Sequence, residues 1–277
     1  MLFRSCLTSL SVTYGTRLDL KSLVRLPALT ELGMHVDSHT LSSAAFSNAV
    51  QRVTSLSLWN SAESGENAEL TGFRDALTNL QSLSLQGYEL KDLDVMNDCS
   101  QLTSLRLVRF TSLVGMGFLT SLRSLKQLCL ADVKSPDWIP NQMPLDHSFL
   151  PQLTQLVGDF VANVWMPMIS SLHSLEAVEL RCCYGNFASH KLSGLEQLQN
   201  LRILRIDTFY NRVLLEPEAH SLLQRLETLK LHQVFDERIR MRHDLGQLAE
   251  LAPNLKITST SRDWLNWVED TCHSHSR

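Results

Sequence analysis

One phrase recurs ten times along this chain: an apolar residue, two variable residues, an apolar residue, two variable residues, then Leu-x-Leu or a near equivalent. The closing pairs open at Leu10, Leu32, Leu56, Leu83, Leu105, Leu128, Leu156, Val178, Leu204 and Leu229, at intervals of 22 to 28 residues. An interval of that size accommodates one strand and one returning segment, and no more. The full four-point set reads Leu77, Leu80, Leu83, Leu85, and again Leu122, Leu125, Leu128, Leu130. It recurs as Leu172, Leu175, Val178, Leu180; as Leu198, Leu201, Leu204, Ile206; and as Leu223, Leu226, Leu229, Leu231. Residues two apart on an extended strand share a side, so both members of the Leu-x-Leu pair point inward while the earlier pair packs beneath through the turn. Stacked coils then set their strands side by side as a parallel sheet. Each coil touches only its neighbours, and each buried leucine contributes roughly 1.5–3 kcal/mol.

The returning segments differ in character. Leu41–Arg52 and Ala68–Leu77 predict short helices. Pro217 suits the first turn of a helix through Leu223, where its missing N–H is needed least. Asp244 with Gln247 three residues on resembles a capping pair opening a helix over Leu245–Leu251. Lys134–Pro151, with prolines at 136, 140, 144 and 151, predicts an irregular bulging loop. Leu255 and Ile257 begin an eleventh strand expected to decay into Thr258-Ser259-Thr260, and Trp264–Val268 is expected to fold back as a C-terminal cap. The expected organisation is one solenoid of about ten coils over residues 1–257, followed by the cap and a frayed tail over 258–277. Because the first repeat starts almost at Met1, a preceding cap, domain or further repeats is expected, with Leu2 and Phe3 covering part of that edge.

On these residues the chain resembles the leucine-rich repeat superfamily from residue 1 to about 257. The resemblance implies an α/β solenoid with a parallel sheet on its concave face, short helices and loops on its convex face, and a protein partner held by the concave side. The position three residues after the second leucine, commonly Asn in such repeats, reads Gly15, Asp37, Ser61, Tyr88, Phe110, Val133, Val161, Cys183, Phe209 and Val234 here. With its variable coil lengths, the chain is closer to the irregular intracellular repeats of F-box substrate receptors and plant-type immune receptors than to regular extracellular ones. The former implies the substrate-recognition part of a ubiquitin ligase adaptor. The alternative is the ligand-sensing region of an immune or signalling receptor whose NTPase domain is encoded elsewhere.

Composition supports an intracellular binding role, cytoplasmic or nuclear. A formal net charge of −4 lacks the basic face that phosphate neutralisation demands, so nucleic acid is not the expected partner. Cys6, Cys99, Cys129, Cys182, Cys183 and Cys272 form no C-x-x-C pair and no flanking clusters, and none of the twelve asparagines opens an N-x-[ST] acceptor. No 18-residue apolar window exists, so no membrane span is expected. The motifs of P-loops, zinc proteases and serine hydrolases are absent. Gly115-Met116-Gly117 reads as a turn. Asp92, Asp94 and Asp98 lack the glycine and distal glutamate of a calcium loop, and Cys272, His273 and His275 lie in a polar tail. No catalytic residue, cofactor or metal is expected. The chain is expected to be monomeric unless its N-terminal edge pairs.

The candidate site is therefore the concave sheet, where residues flanking each inward leucine face solvent. The first rows are rich in serine, with Trp59 as the one large aromatic: Ser55, Ser57, Trp59 on one strand and Ser82, Ser84, Gln86 on the next. Ser104, Arg106, Val108 and Gln127, Cys129, Ala131 follow. The last coils carry Glu179, Arg181, Arg205, Asp207, Lys230 and His232, a two-signed patch. Trp and Arg most often carry interface energy, so Trp59, Arg106 and this patch are the expected protein-binding residues.

Overall fold

A computed structural model describes residues 6–12, 20–41, 43–60, 67–68, 74–90, 93–110, 117–131, 149–159, 168–181, 194–209, 217–234 and 252–259. The chain falls into two units, the first Met1–Pro144 with Ser148–Leu153, the second Leu145–His147 with Thr154–Arg277. The boundary lies in the proline-bearing stretch, of which residues 134–148 are outside those described.

In the first unit the repeat frame becomes β1 (Ser9–Val12), β2 (Glu31–Val36), β3 (Ser55–Asn60), β5 (Ser82–Gln86), β7 (Ser104–Val108) and β8 (Gln127–Ala131), each parallel to the next. Two short strands, β4 (Asn67–Ala68) and β6 (Glu89–Leu90), pair with each other outside that sheet. The chain returns through α1 (Leu20–Val24), α2 (Ser38–Leu41), α3 (Ala44–Val50), α4 (Arg74–Leu77) and 3-10 turns at Leu93–Asp98 and Gly117–Ser121. The second unit carries β9 (Gln155–Asp159), β10 (Ala177–Arg181), β11 (Ile203–Phe209), β12 (Thr228–Val234) and β13 (Lys256–Ser259), again parallel in chain order. Its returns are a helical turn at 168–171, a 3-10 turn at Leu195–Gln197 and α5 (Pro217–Arg225). This is the α/β architecture of a leucine-rich repeat solenoid.

Alternation places the inward leucines where the spacing predicts. Leu77, Leu80, Leu83 and Leu85 are fully buried, as are Leu198, Leu201 and Leu204. Register is held by backbone as well as by burial. In eight coils among the described residues the carbonyl two residues before the Leu-x-Leu accepts two N–H groups from the next coil. Thr8 takes Thr30 and Glu31 at 2.9 and 3.0 Å, and Thr54 takes Gln81 and Ser82 at 2.8 and 3.0 Å. In the second unit Glu176 takes Arg202 and Ile203 at 2.9 and 3.0 Å. A carbonyl oxygen has two lone pairs, so one acceptor can start two strand bonds. The Thr30 and Thr54 hydroxyls add bonds of 3.3 Å to the same carbonyls, and Thr103 one of 3.0 Å to that of Gln81. Threonine two residues before the first leucine, at 8, 30, 54, 103 and 154, is a signal the repeat frame alone overlooks.

Local details qualify the sequence expectations. The helix expected over Leu41–Arg52 is α3, which starts later because the Ser43 hydroxyl accepts the Phe46 N–H at 3.2 Å and caps it. Of the helix expected over Ala68–Leu77, residues 69–73 lie outside the described residues. Ala68 pairs with Leu90 in β4, and only Arg74–Leu77 is helical among the described residues. Pro217 opens α5 as expected. The eleventh strand keeps Thr258 and Ser259, paired with Lys230 and Leu231, because parallel backbone bonding does not require apolar side chains. The expected Leu245–Leu251 helix and the Trp264–Val268 cap lie outside the described residues.

Where other repeats carry asparagine, Tyr88 and Phe110 are buried in the core. The Tyr88 hydroxyl donates to the Val36 carbonyl at 2.8 Å, tying together residues two coils apart. Burial, and then the negative charge of Asp37, hold that hydroxyl well above the usual phenol range. Just before them, Gly87 (φ 79°) and Arg109 (φ 58°) occupy the same repeat position in the left-handed region. Their N–H groups donate to the last carbonyls of the following strands, Val108 and Ala131, each at 2.9 Å.

The first coil differs from the rest. Leu10 and Val12 are only half-buried, and Leu7 and Val24, at 37% and 56%, are the exposed large hydrophobics among the described residues.

Candidate functional site

Strand register, rather than loops, assembles the outward face. In the second unit the residue between the paired inward positions runs Val157, Glu179, Arg205, Lys230 across β9 to β12. Neighbouring strands lie about 4.8 Å apart, so these side chains stand in one row. Arg205 donates from Nη1 to Glu179 Oε2 at 3.2 Å. The Glu179 side chain retains 14% of its exposure against 46% for Arg205, so the carboxylate sits low and the guanidinium caps it. Lys230, exposed on the far side of Arg205, is a like charge on the adjacent strand. Glu179 offsets that repulsion by drawing the guanidinium away from it.

A second charged row runs along the strand entrances, through Glu176, Arg202 and Glu227, whose carbonyls carry the register bonds. Arg202 Nε lies 3.9 Å from Glu227 Oε1, with both side chains well exposed, so this pair contributes little. Behind the sheet, Arg225 at the end of α5 donates from Nη2 to the Glu196 carbonyl at 2.7 Å and ties that helix to the preceding coil.

In the first unit the corresponding row is Ser11, Gly33, Ser57, Ser84, Arg106 and Cys129. Trp59 pairs in register with His35, and their rings lie 5.5 Å apart at 35°. Arg106 is exposed on β7, two strands from Trp59.

The structure thus brings Glu179, Arg205 and Lys230 together, while Trp59 and Arg106 belong to the other unit. Arg181 ends β10 in register with Asp159, and Asp207 and His232 lie on β11 and β12; these three side chains are outside the described set. One expectation is corrected. Cys129 and Ala131 were expected to face solvent, yet both are buried, because on β8 both sides of the strand are covered.

Cys6, Cys99 and Cys129 are thiols rather than disulfides. Burial, and then the charge of Asp98, push the Cys99 thiol up to about 12, far from a reactive thiolate. Among the described residues no group of three or more His, Cys, Asp or Glu could hold a metal, and no helix is long and apolar enough to cross a membrane.

No family model matches the chain, and no curated protein matches it. Among solved structures it is similar to an internalin from Listeria monocytogenes, at 16% identity and a TM-score of 0.51 over 91% of this chain and 82% of that one. At that identity the likeness establishes the fold. Together with the repeat frame and parallel register, it defines the class as a leucine-rich repeat solenoid protein.

Proposed function

We propose that this chain is a non-catalytic interaction module that holds a protein partner on the outward face of its sheet. The observation that carries the reading is the Glu179–Arg205–Lys230 row, three charges of both signs held in register on three adjacent strands. A rigid two-signed row sets orientation and association rate more than raw affinity, so raised salt should slow binding. Arg181, Asp207 and His232 extend the proposed surface along the same three strands. Arg205 and Lys230 engage acidic groups of the partner, and Glu179 fixes the guanidinium that does so.

The narrower form of this reading is the substrate-recognition part of an F-box-type ubiquitin ligase adaptor working inside the cell. Coils of unequal length and the aromatic residues Tyr88 and Phe110 at the ladder position support that grouping over regular repeats. The alternative is the sensing region of an intracellular receptor. The coding sequence upstream separates the two, with an F-box favouring the first and an NTPase domain the second.

The test is a charge swap that spares the fold. Glu179→Arg with Arg205→Glu keeps the ion pair and inverts it, and Lys230→Glu completes the inversion. Partners captured by the wild-type chain should be lost by the triple variant at unchanged melting temperature. Capture of the same partners in the same yield overturns the reading.

A further inference from the structure

The indole of Trp59 does not stand up from β3; it leans across the neighbouring strand. A β-carbon built on Gly33 would come within 3.0 Å of Cη2 and 3.2 Å of Cζ3 of that ring. Glycine at 33 is therefore what lets the ring lean over β2, where it remains half-exposed. His35 braces it on one side at 5.5 Å. On the other side, two residues before Gly33 and on the same face of β2, is the exposed Glu31. Same-face neighbours on a strand are about 6.6 Å apart, so Glu31 is one such step from the glycine over which the half-exposed indole leans. Among the described outward residues of β1 to β3, Glu31 is the acidic one and none is a lysine or arginine. The electronegative face of a tryptophan attracts an ammonium or guanidinium group, and an adjacent carboxylate reinforces that attraction.

We infer that Trp59, laid over Gly33 beside Glu31, is a docking point for one arginine or lysine side chain in an extended segment of a protein partner. A free small cation is the poorer fit, since a single ring face and a single carboxylate leave most of its shell to water. The neighbouring floor favours a peptide. Ser55, Ser57, Ser82 and Ser84 lie in register on β3 and β5, small enough for a backbone to approach and able to bond its amides. The surface is separate from the charged row of the second unit, so either can fail without the other.

The probe is a phage-displayed library of linear peptides of random sequence, selected on the purified chain. Binders should be enriched in Arg or Lys at one position. As synthetic peptides they should lose about tenfold in affinity toward Trp59→Ala, the loss expected of a tryptophan anchor. A comparable loss is expected toward Glu31→Lys, and on replacing the peptide arginine with citrulline. Gly33→Ala should weaken binding several-fold by lifting the ring, without any contact to the peptide. Melting curves confirm that each variant folds, and the charge-swapped second-unit variant should bind like wild type. Failure to recover binders, recovery without basic enrichment, or binding to Trp59→Ala or Glu31→Lys as tight as to the wild-type chain each overturns the proposal.

Discussion

Between the paired inward residues, four successive strands of the first unit present Ser11, Gly33, Ser57 and Ser84, whereas the second presents Val157, Glu179, Arg205 and Lys230. The inward neighbours of these residues hardly change: Leu56, Leu83, Leu204 and Leu229 are all fully buried. The contrast shows how the fold divides labour along a strand with a period of two. Volume and apolarity are demanded of one side by close packing, while the other side is answerable only to solvent and partner. Two different surfaces therefore rest on one frame.

The largest effects should come from that shared frame. Leu83→Ala on β5 and Leu204→Ala on β11 are each expected to cost about 2–5 kcal/mol in urea unfolding, as buried leucine truncations do. Similar losses in both units would confirm that their inward sides are equivalent, and a loss below about 1 kcal/mol in either would break the comparison. Leu10→Ala, at the half-buried first coil, should cost distinctly less.

A middle-sized effect should distinguish the units. Tyr88→Phe removes a buried hydroxyl and leaves the Val36 carbonyl without that donor, at a cost of about 1–3 kcal/mol. Alkali probes the same region. The folded Tyr88 and Cys99 groups are both raised above their ordinary values, so the stability they contribute is fully present below the unfolded values and is lost as pH rises through the folded ones. For Cys99 that window runs from 9.0 to about 12. At pH 8 iodoacetamide should modify exposed Cys6 and spare Cys99. Labelling of Cys99 should begin only as the first unit loosens in that alkaline window, and equal labelling of both thiols at pH 8 would contradict the buried environment.

The smallest effect concerns the turn after the strand. Arg109 holds φ 58° where the preceding coil uses Gly87. Arg109→Gly should raise stability by about 0.5–1 kcal/mol by relieving the left-handed strain, and Gly87→Ala should lower it by about 1–2 kcal/mol. A destabilised Arg109→Gly would mean that the arginine side chain holds the turn more strongly than the backbone strain opposes it.

Much was legible in the sequence because burial imposes a period. Leucines in the frame 77, 80, 83, 85 announce a coil whatever surrounds them, since no other placement hides four such side chains at that spacing. Pro217 and the row containing Glu179, Arg205 and Lys230 were readable for the same reason, as strand alternation and helix starts are local properties. The pairing of Ala68, in β4, with Leu90 and the burial of Cys129 were not, because each depends on what lies against the residue in space.

The sequence alone determined the repeat, the inward leucines and the outward rows other than that of β8, since period and hydrophobicity act through neighbours a few residues apart. Only the tertiary structure decided that Trp59 lies across Gly33 rather than standing free, that Tyr88 reaches Val36 over 52 positions, and that Arg205 is drawn to Glu179 across 26. These contacts join different coils. Their geometry is set by strand register and side-chain direction, which emerge only when one coil has packed against the next.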